Sequence, residues 1–408
     1  MTSNLAAHRL QLFILSISGG IIFMLPFLQE VYYLPLANTM QLSNTEVGAF
    51  MSMFGAFAML SYVPGGMLAD RISPRLLCSC SLIATGVGGF YFATFPPYRI
   101  GLAIHGFWGL TIGLLFWSAM IRAVRLWSSR EEQGRAFGLL EGGRGIGEVV
   151  SSTALLAVFA LADSETMGLV LVINLFSALI VLLGALSWLV MKNEEMAVQS
   201  TTGGWNASDL LEAAKLPQVW LVAGVILAGY CAYWATFRFT PYATDVFGLS
   251  VTIGATIGVG KMWLKPIAAS VAGFFADKFG VLRLVDMLFV MLVSSFGVIA
   301  FMPGEAAFLL PMIIGVTIIS IFVFSLRGIY FALIDHSGVP KHLTGTAAGL
   351  ISVIAYTPDI FMPLLGGVLV DSSPGVDGYR YFFLVSAAIC AIGWIASKGL
   401  KGYGELQA

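Results

Sequence analysis

The sequence predicts an all-α polytopic membrane protein: twelve transmembrane helices in two pseudo-symmetric six-helix halves. Three observations carry this. Hydrophobic residues make up 58% of the 408 positions and charged residues only 11%, with a mean hydropathy of +0.89, whereas a soluble domain carries about a quarter charged residues. Apolar spans long enough to cross a bilayer recur along the whole chain. A motif in the first half also returns in the second.

The spans cover residues 11–36, 46–69, 76–95, 98–126, 134–162, 166–191, 217–245, 251–276, 283–303, 306–334, 343–370 and 378–398, each reaching the ~20 residues a helix needs to cross the hydrocarbon. Between the sixth and seventh lies KNEEMAVQSTTGGWNASDLLEAAK, the one long polar segment. The expected organisation is therefore residues 1–191 as an N-terminal bundle, 192–216 as a linker and 217–408 as a C-terminal bundle. Arg9 and the uninterrupted first span, without a small-residue cleavage site, predict a retained first helix.

The formal net charge of −1 and the lack of a basic run give no sign of nucleic-acid binding. Cys78, Cys80, Cys231 and Cys390 lie in or at the ends of apolar spans and read as small buried hydrophobes, with no metal or disulfide pattern. No cofactor is implied. With both termini in the cytoplasm, thirteen lysines and arginines fall inside, Arg130 and Lys341 among them, and only Arg99 and Arg380 outside. In that orientation Asn206-Ala207-Ser208 is cytosolic and carries no glycan.

Gly66, Asp70 and Arg71 of GGMLADRISPR return 207 residues later as Gly273, Asp277 and Lys278, and Arg75 returns at one residue's slip as Arg283. Leu42-Ser43 recurs as Leu249-Ser250, and Pro35 is echoed by Pro241. Further on, Gly134–Glu148 lies over Gly345–Asp359 at an offset of 211, which pairs Glu148 with Asp359. A repeat of this kind makes two parallel six-helix halves.

Twelve spans, a central linker, the half-chain repeat and the paired GxxxD[RK] loops resemble the major facilitator superfamily over essentially the whole chain. The second loop has the full G-x-x-x-D-K-x-G-x-x-R signature; the first has Ser73 and Pro74 where the signature has Gly and a variable residue. The resemblance implies the major facilitator fold, secondary active transport, a monomer, and a role in the cytoplasmic gate for Asp70, Arg71, Arg75, Asp277, Lys278 and Arg283. Within the superfamily, GGIIFMLPFLQEVYYLPL and SREEQGRAFGLLEGGRGI resemble the YihN-type permeases, a branch near the sugar-phosphate transporters. That implies a bacterial inner (plasma) membrane location.

Charges well inside spans are expensive, on the order of 2.5 kcal/mol or more each, so they face water, a counter-charge or a ligand. They are Glu30, Arg122, Glu141, Arg144, Glu148, Arg238, Lys261, Lys265, Arg327 and Asp359. Spans 3, 6 and 12 have none, and span 9 has only Asp286 at its end. Spans 1, 4, 5, 7, 8, 10 and 11 are thus the expected cavity walls, a division the family resemblance also implies.

Glu141, Arg144 and Glu148 fall at i, i+3 and i+7 on one helical face, where Arg144 can pair with either carboxylate. Glu148, Asp359 and Glu30 are candidate proton carriers; the alternatives are structural pairing with a cation or, for Glu30, a gate pair with Arg238. Lys261 and Lys265, one turn apart, are each either balanced by a carboxylate or poised to hold an anion. Six deep cations against four carboxylates leave a positive excess, and guanidinium forks suit carboxylate, sulfonate or phosphate groups. The expected substrate site therefore comprises Lys265, Lys261, Arg327, Arg238 and Arg144, with Tyr356 and Trp263 as its aromatics; Arg122 is a snorkelling residue.

Two glycine-rich stretches are rejected as nucleotide sites. Gly254–Met262 has the wrong glycine spacing and no Ser/Thr after Lys261, and Gly143–Gly147 lies in a membrane span, where glycines let helices approach. His105 reads as a packed side chain. The expectation is a transporter and not an enzyme: proton-coupled uptake, or exchange, of a small organic anion by alternating access. Proton-driven efflux of amphipathic or cationic compounds is the first alternative, and a non-transporting membrane sensor the second.

Overall fold

Prolines, serines and glycines at the edges of the apolar spans set where helices begin and break in the computed structural model, which describes residues 4–129, 132–192, 207–340 and 343–404. Among the described residues every regular element is helical. Helix α1 runs as Arg9–Ile21 and Gln29–Met40, α2 is Asn44–Arg71, α3 Pro74–Phe92, α4 Tyr98–Trp127, α5 Gln133–Ala160 and α6 Glu165–Val190. Then follow α7 at Pro217–Asp245, α8 at Val251–Phe279, α9 at Val281–Ala300, α10 at Ala306–Ala332, α11 at Thr344–Ser372 and α12 at Val376–Gly404. Nine of these, among the described residues, are long and apolar enough to cross a membrane. The other three are α1, which is broken, and α5 and α8, which bear mid-helix charges.

The starts are legible chemistry. Ser43 opens α2 with a capping box: its hydroxyl accepts from the Glu46 N–H at 3.2 Å, and the Glu46 carboxylate accepts from the Ser43 N–H at 2.9 Å. Ser73 caps α3 in extended backbone, with Pro74 in the first turn, where its missing N–H costs nothing. The matching turn before α9 is closed differently, by Gly280 at φ +86°, a conformation that strains any residue with a Cβ. This is the physical content of the Ser73 departure: one loop copy ends in a serine cap, the other in a left-handed glycine.

Four expectations change. The first span is not continuous. Pro26 has no N–H for the Ile22 carbonyl, and the chain tightens through turns such as Met24 N–H to Ile21 O at 2.9 Å before resuming at Gln29. The eleventh span breaks likewise before Pro358, where the Thr357 N–H takes the Ile354 carbonyl at 3.1 Å. Cys80 is exposed while Cys78, Cys231 and Cys390 are buried, because two residues along a helix is a rotation of about 200° to the other face. The linker holds a helix, Ala207–Lys215, opened by Asp209 and closed by Lys215 in the sense the helix dipole favours. Arg130, Asn206, Lys341 and linker residues 193–206 lie outside the described residues.

The chain divides into two compact units, Met1–Gln199 with Val251–Val259, and Ser200–Ser250 with Gly260–Ala408. In the first, α3 packs along α6, α1 along α5 and α2 along α4. In the second, α9 packs along α12 and α7 along α11, while α8 meets α10 where the Ser325 hydroxyl donates to the Ala268 carbonyl at 3.3 Å. Third with sixth, first with fifth and second with fourth: the same pairs recur in both units, while in the second α7 also packs closely along α12.

Close approach depends on glycine in both copies. A Cβ on Gly86 of α3 would lie 2.7 Å from the Ser177 carbonyl oxygen of α6, and one on Gly393 of α12 would lie 2.7 Å from the Phe289 ring of α9. Gly393→Val is therefore expected to cost about 1–3 kcal/mol through overpacking. Gly297→Val on α9, where nothing lies within 4 Å, serves as the comparison in detergent thermal unfolding; equal losses for the two variants would remove the packing explanation.

Candidate functional site

In each unit a mid-span arginine lies against aromatic faces. In the first unit it is Arg144 of α5, whose Nη1 donates to Glu141 at 2.6 Å and whose Nε donates to the Gly19 carbonyl of α1 at 3.1 Å. The carbon of its guanidinium lies 5.0 Å from the Trp117 ring centre and 5.9 Å from that of Phe23. The i, i+3 spacing thus makes the ion pair with Glu141, and that carboxylate is 61% exposed. Glu148 lies one turn further along, half-buried, and Glu30 of α1 is buried.

The second unit holds the denser cluster. Aromatics on α7 at Tyr230, Tyr233, Trp234 and Phe237 follow the i, i+3, i+4, i+7 pattern of one helical stripe. Arg327 of α10 lies with its guanidinium carbon 3.8 Å from the Tyr233 ring centre and 5.4 Å from that of Tyr230. From α11, Tyr356 sets its edge on Tyr230 at 4.9 Å, and Asp359 accepts from the Trp234 indole N–H at 2.8 Å. Tyr230 interacts electrostatically with the same carboxylate. Three helices thereby present a cation, an anion and four aromatic rings to one small volume.

Next to this, α7 changes pitch. Pro241 has no N–H for the Phe237 carbonyl, and residues Thr236–Arg238 form a tighter 3-10 turn. Lys261 of α8, buried, fills the irregularity: its Nζ donates to the Thr236 carbonyl and hydroxyl, each at 3.2 Å, and lies 4.6 Å from the Phe237 ring centre. Arg238, also buried, donates to the Pro363 carbonyl of α11 at 3.0 Å. Lys265 is half-buried one turn beyond Lys261. Trp263 turns to the exposed side of α8, 49% exposed, away from the rings around Arg327.

Most of the deep cations have a backbone carbonyl. Arg144 has Gly19, Lys261 has Thr236, Arg238 has Pro363, and Arg122 of α4 donates to the Ala69 carbonyl at the end of α2. Arg327 differs. It stands on ring faces, and its Nη1 is buried with no hydrogen-bond partner among the described residues, a state that costs about 1–3 kcal/mol or more for a charged donor.

The loop residues are placed at helix ends. Asp70 and Arg71 are exposed at the end of α2, and Arg75 in the first turn of α3 lies 4.3 Å from the Trp188 ring centre of α6. Asp277 and Lys278 are exposed at the end of α8, the Lys278 Nζ 5.4 Å from the Phe279 ring, and Arg283 is exposed at the start of α9. His105 packs: its Nδ1 is 2.9 Å from the Gly101 carbonyl and its ring stacks on Phe50 at 4.4 Å. Sequence reasoning passed over Phe23, Tyr230 and Phe237, although the α7 stripe is legible as spacing. Among the described residues, no group of His, Cys, Asp or Glu could hold a metal ion.

Residues 10–358 match the family model of the Major Facilitator Superfamily. Among curated relatives, inner membrane protein YqcE of Escherichia coli (strain K12) is 29% identical over 95% of this chain and 93% of its own length. Inner membrane protein YihN of the same organism is 28% identical over 94% of this chain and 93% of its own length. Among solved structures, a bacterial homologue of the human lysosomal transporter Spinster, in an inward-facing and unoccupied conformation, superposes with a TM-score of 0.75. That match is at 15% identity and covers 98% of both chains.

The Asp359 carboxylate is a structural acceptor as well as a charge, and two substitutions separate the roles. Asp359→Leu strands the indole N–H of Trp234 and is expected to cost about 1–3 kcal/mol, whereas Asp359→Asn keeps an acceptor and loses less. Melting temperatures in detergent check this; equal losses would assign the whole effect to charge.

Proposed function

The chain belongs to the Major Facilitator Superfamily, and from that membership we propose that it is a secondary active transporter moving a small organic anion by alternating access. The cargo carries a carboxylate, sulfonate or phosphate ester. One observation carries the anionic reading: the buried Arg327 Nη1 without a partner among the described residues, on a guanidinium whose faces rest on Tyr233 and Tyr230. A planar fork in that setting suits two oxygens of an anionic group. The aromatic rings and the Asp359 carboxylate around it suit the body of a ring-bearing or hydroxylated molecule.

In this reading Arg327 and Lys265 contact the anionic group, Lys261 and Arg238 supply positive potential, and Tyr356 contacts its body. Glu148, Asp359 and Glu30 are the groups through which a proton can couple to transport. Asp70, Arg71, Arg75, Asp277, Lys278 and Arg283 serve the cytoplasmic gate. Residues 1–191 and 217–408 form the two halves, joined by 192–216, in a monomer of the inner membrane with both termini cytoplasmic.

Ligand binding to the folded state raises its melting temperature whatever the direction of transport. Purified protein is therefore screened against sugar phosphates, sulfonates, dicarboxylates and cationic amphiphiles. One anion class is expected to stabilise the wild type, and Arg327→Gln and Lys265→Ala to abolish the shift. Stabilisation by cationic amphiphiles alone would replace this reading with proton-driven efflux. In proteoliposomes loaded at a different pH from the bath, Glu148→Gln or Asp359→Asn is expected to lose pH-driven uptake by tenfold or more while exchange of internal for external anion persists. Unchanged pH-driven uptake in both variants would remove these carboxylates from coupling.

A further inference from the structure

We propose that the groove between the beginnings of α1 and α5 is a binding site for an anionic phospholipid of the surrounding membrane. The groove is a cavity of about 250 Å³ lined by Leu5, Arg9, Leu12, Phe13, Arg135 and Leu139, with Ser16 and Gly143 at its floor. It lies wholly within the first unit, and it takes no part in the proposed anion cluster around Arg327.

The two helices run parallel. A Cβ on Gly143 would meet Ser16, one on Gly147 would meet Ile17, and the Ser152 hydroxyl lies 3.3 Å from the Met24 sulfur. Contacts that advance together along both helices mean that both begin at the same side. Arg9 and Arg135, in the first turn of each, therefore share one edge of the bundle. Both are exposed, and neither is held by a carboxylate among the described residues. Two guanidiniums at one mouth are a fork for a phosphodiester, whose charge such groups hold more strongly than a neutral acceptor.

Depth then identifies the molecule. Phe13 and Leu139 each come four residues after an arginine, about 6 Å further along the helix, and the protein leaves them 62% and 50% exposed. A charged mouth over an apolar wall matches a headgroup phosphate with an acyl chain below it. A free phosphate would satisfy the arginines and leave Phe13 and Leu139 uncovered, and a zwitterionic lipid would bring a cation to a site that already holds two. The occupant consistent with both ends is a lipid with a net negative headgroup.

The test uses the full-length protein in phosphatidylcholine micelles containing graded phosphatidylglycerol, with bound lipid counted by native mass spectrometry. The wild type is expected to retain phosphatidylglycerol in preference to phosphatidylcholine, and millimolar inorganic phosphate to leave it bound. Arg9→Gln/Arg135→Gln is expected to weaken phosphatidylglycerol retention about tenfold, and Leu139→Gln to weaken it with both arginines intact. Arg9→Lys/Arg135→Lys keeps the charge and should retain most of the binding, which also controls for misfolding of the glutamine variant. Equal retention of the two lipids by wild type, undiminished retention in the glutamine variant, or displacement by inorganic phosphate would each overturn the proposal.

Discussion

Hydrocarbon offers no hydrogen-bond partner, so every polar group in a membrane span must be answered from within the protein. Much of this structure follows from that constraint. Pro26 and Pro241 interrupt α1 and α7, and the helices respond with tight turns. Cations then close the account at carbonyls beside such features: Arg144 at Gly19, Lys261 at Thr236, Arg238 at Pro363 and Arg122 at Ala69. Charge that looks extravagant in the sequence is thus partly a repair of backbone irregularity. Against that background the Nη1 of Arg327 stands out, because the other deep cations named have a carbonyl and it has no partner among the described residues.

The half-chain repeat is kept in packing more faithfully than in chemistry. The same helix pairs form in each unit, and glycines permit close approach at Gly86 and at Gly393. Yet the two short turns close by different means, a serine cap at Ser73 and a left-handed glycine at Gly280. The outer pairs differ too. In the second unit, Asp286 of α9 is buried and bridged by Lys398 at 3.0 Å and by Lys401, both from α12, while in the first, Arg75 of α3 rests on the Trp188 ring of α6. Pairing geometry constrains backbones; the side chains that fasten the pairs have been free to diverge.

The candidate site was legible unevenly. Arg327, Asp359 and Tyr356 could be singled out because each is costly or amphipathic in an apolar span, and the structure brings all three together around α7. Tyr230 and Phe237 were not, since an aromatic in a membrane helix is ordinary until its neighbours are known. Trp263 sits between two lysines in sequence but turns to the other side of α8, as a residue two places from Lys261 must. Cys80 was misjudged for the same geometric reason, being set opposite the buried Cys78.

The sequence by itself determined the class of protein, the approximate positions of its membrane helices, the internal repeat and the short list of charges that need explanation. These depend on composition and on period, which are properties of a one-dimensional string. Only the tertiary structure decided which carbonyl each cation answers, where the helices break, and that the Arg327 Nη1 beside Tyr233 has no hydrogen-bond partner among the described residues. Those outcomes depend on distances of a few ångströms between residues about a hundred positions apart, such as Trp234 and Asp359. No local pattern encodes such a distance; it exists once the helices have packed.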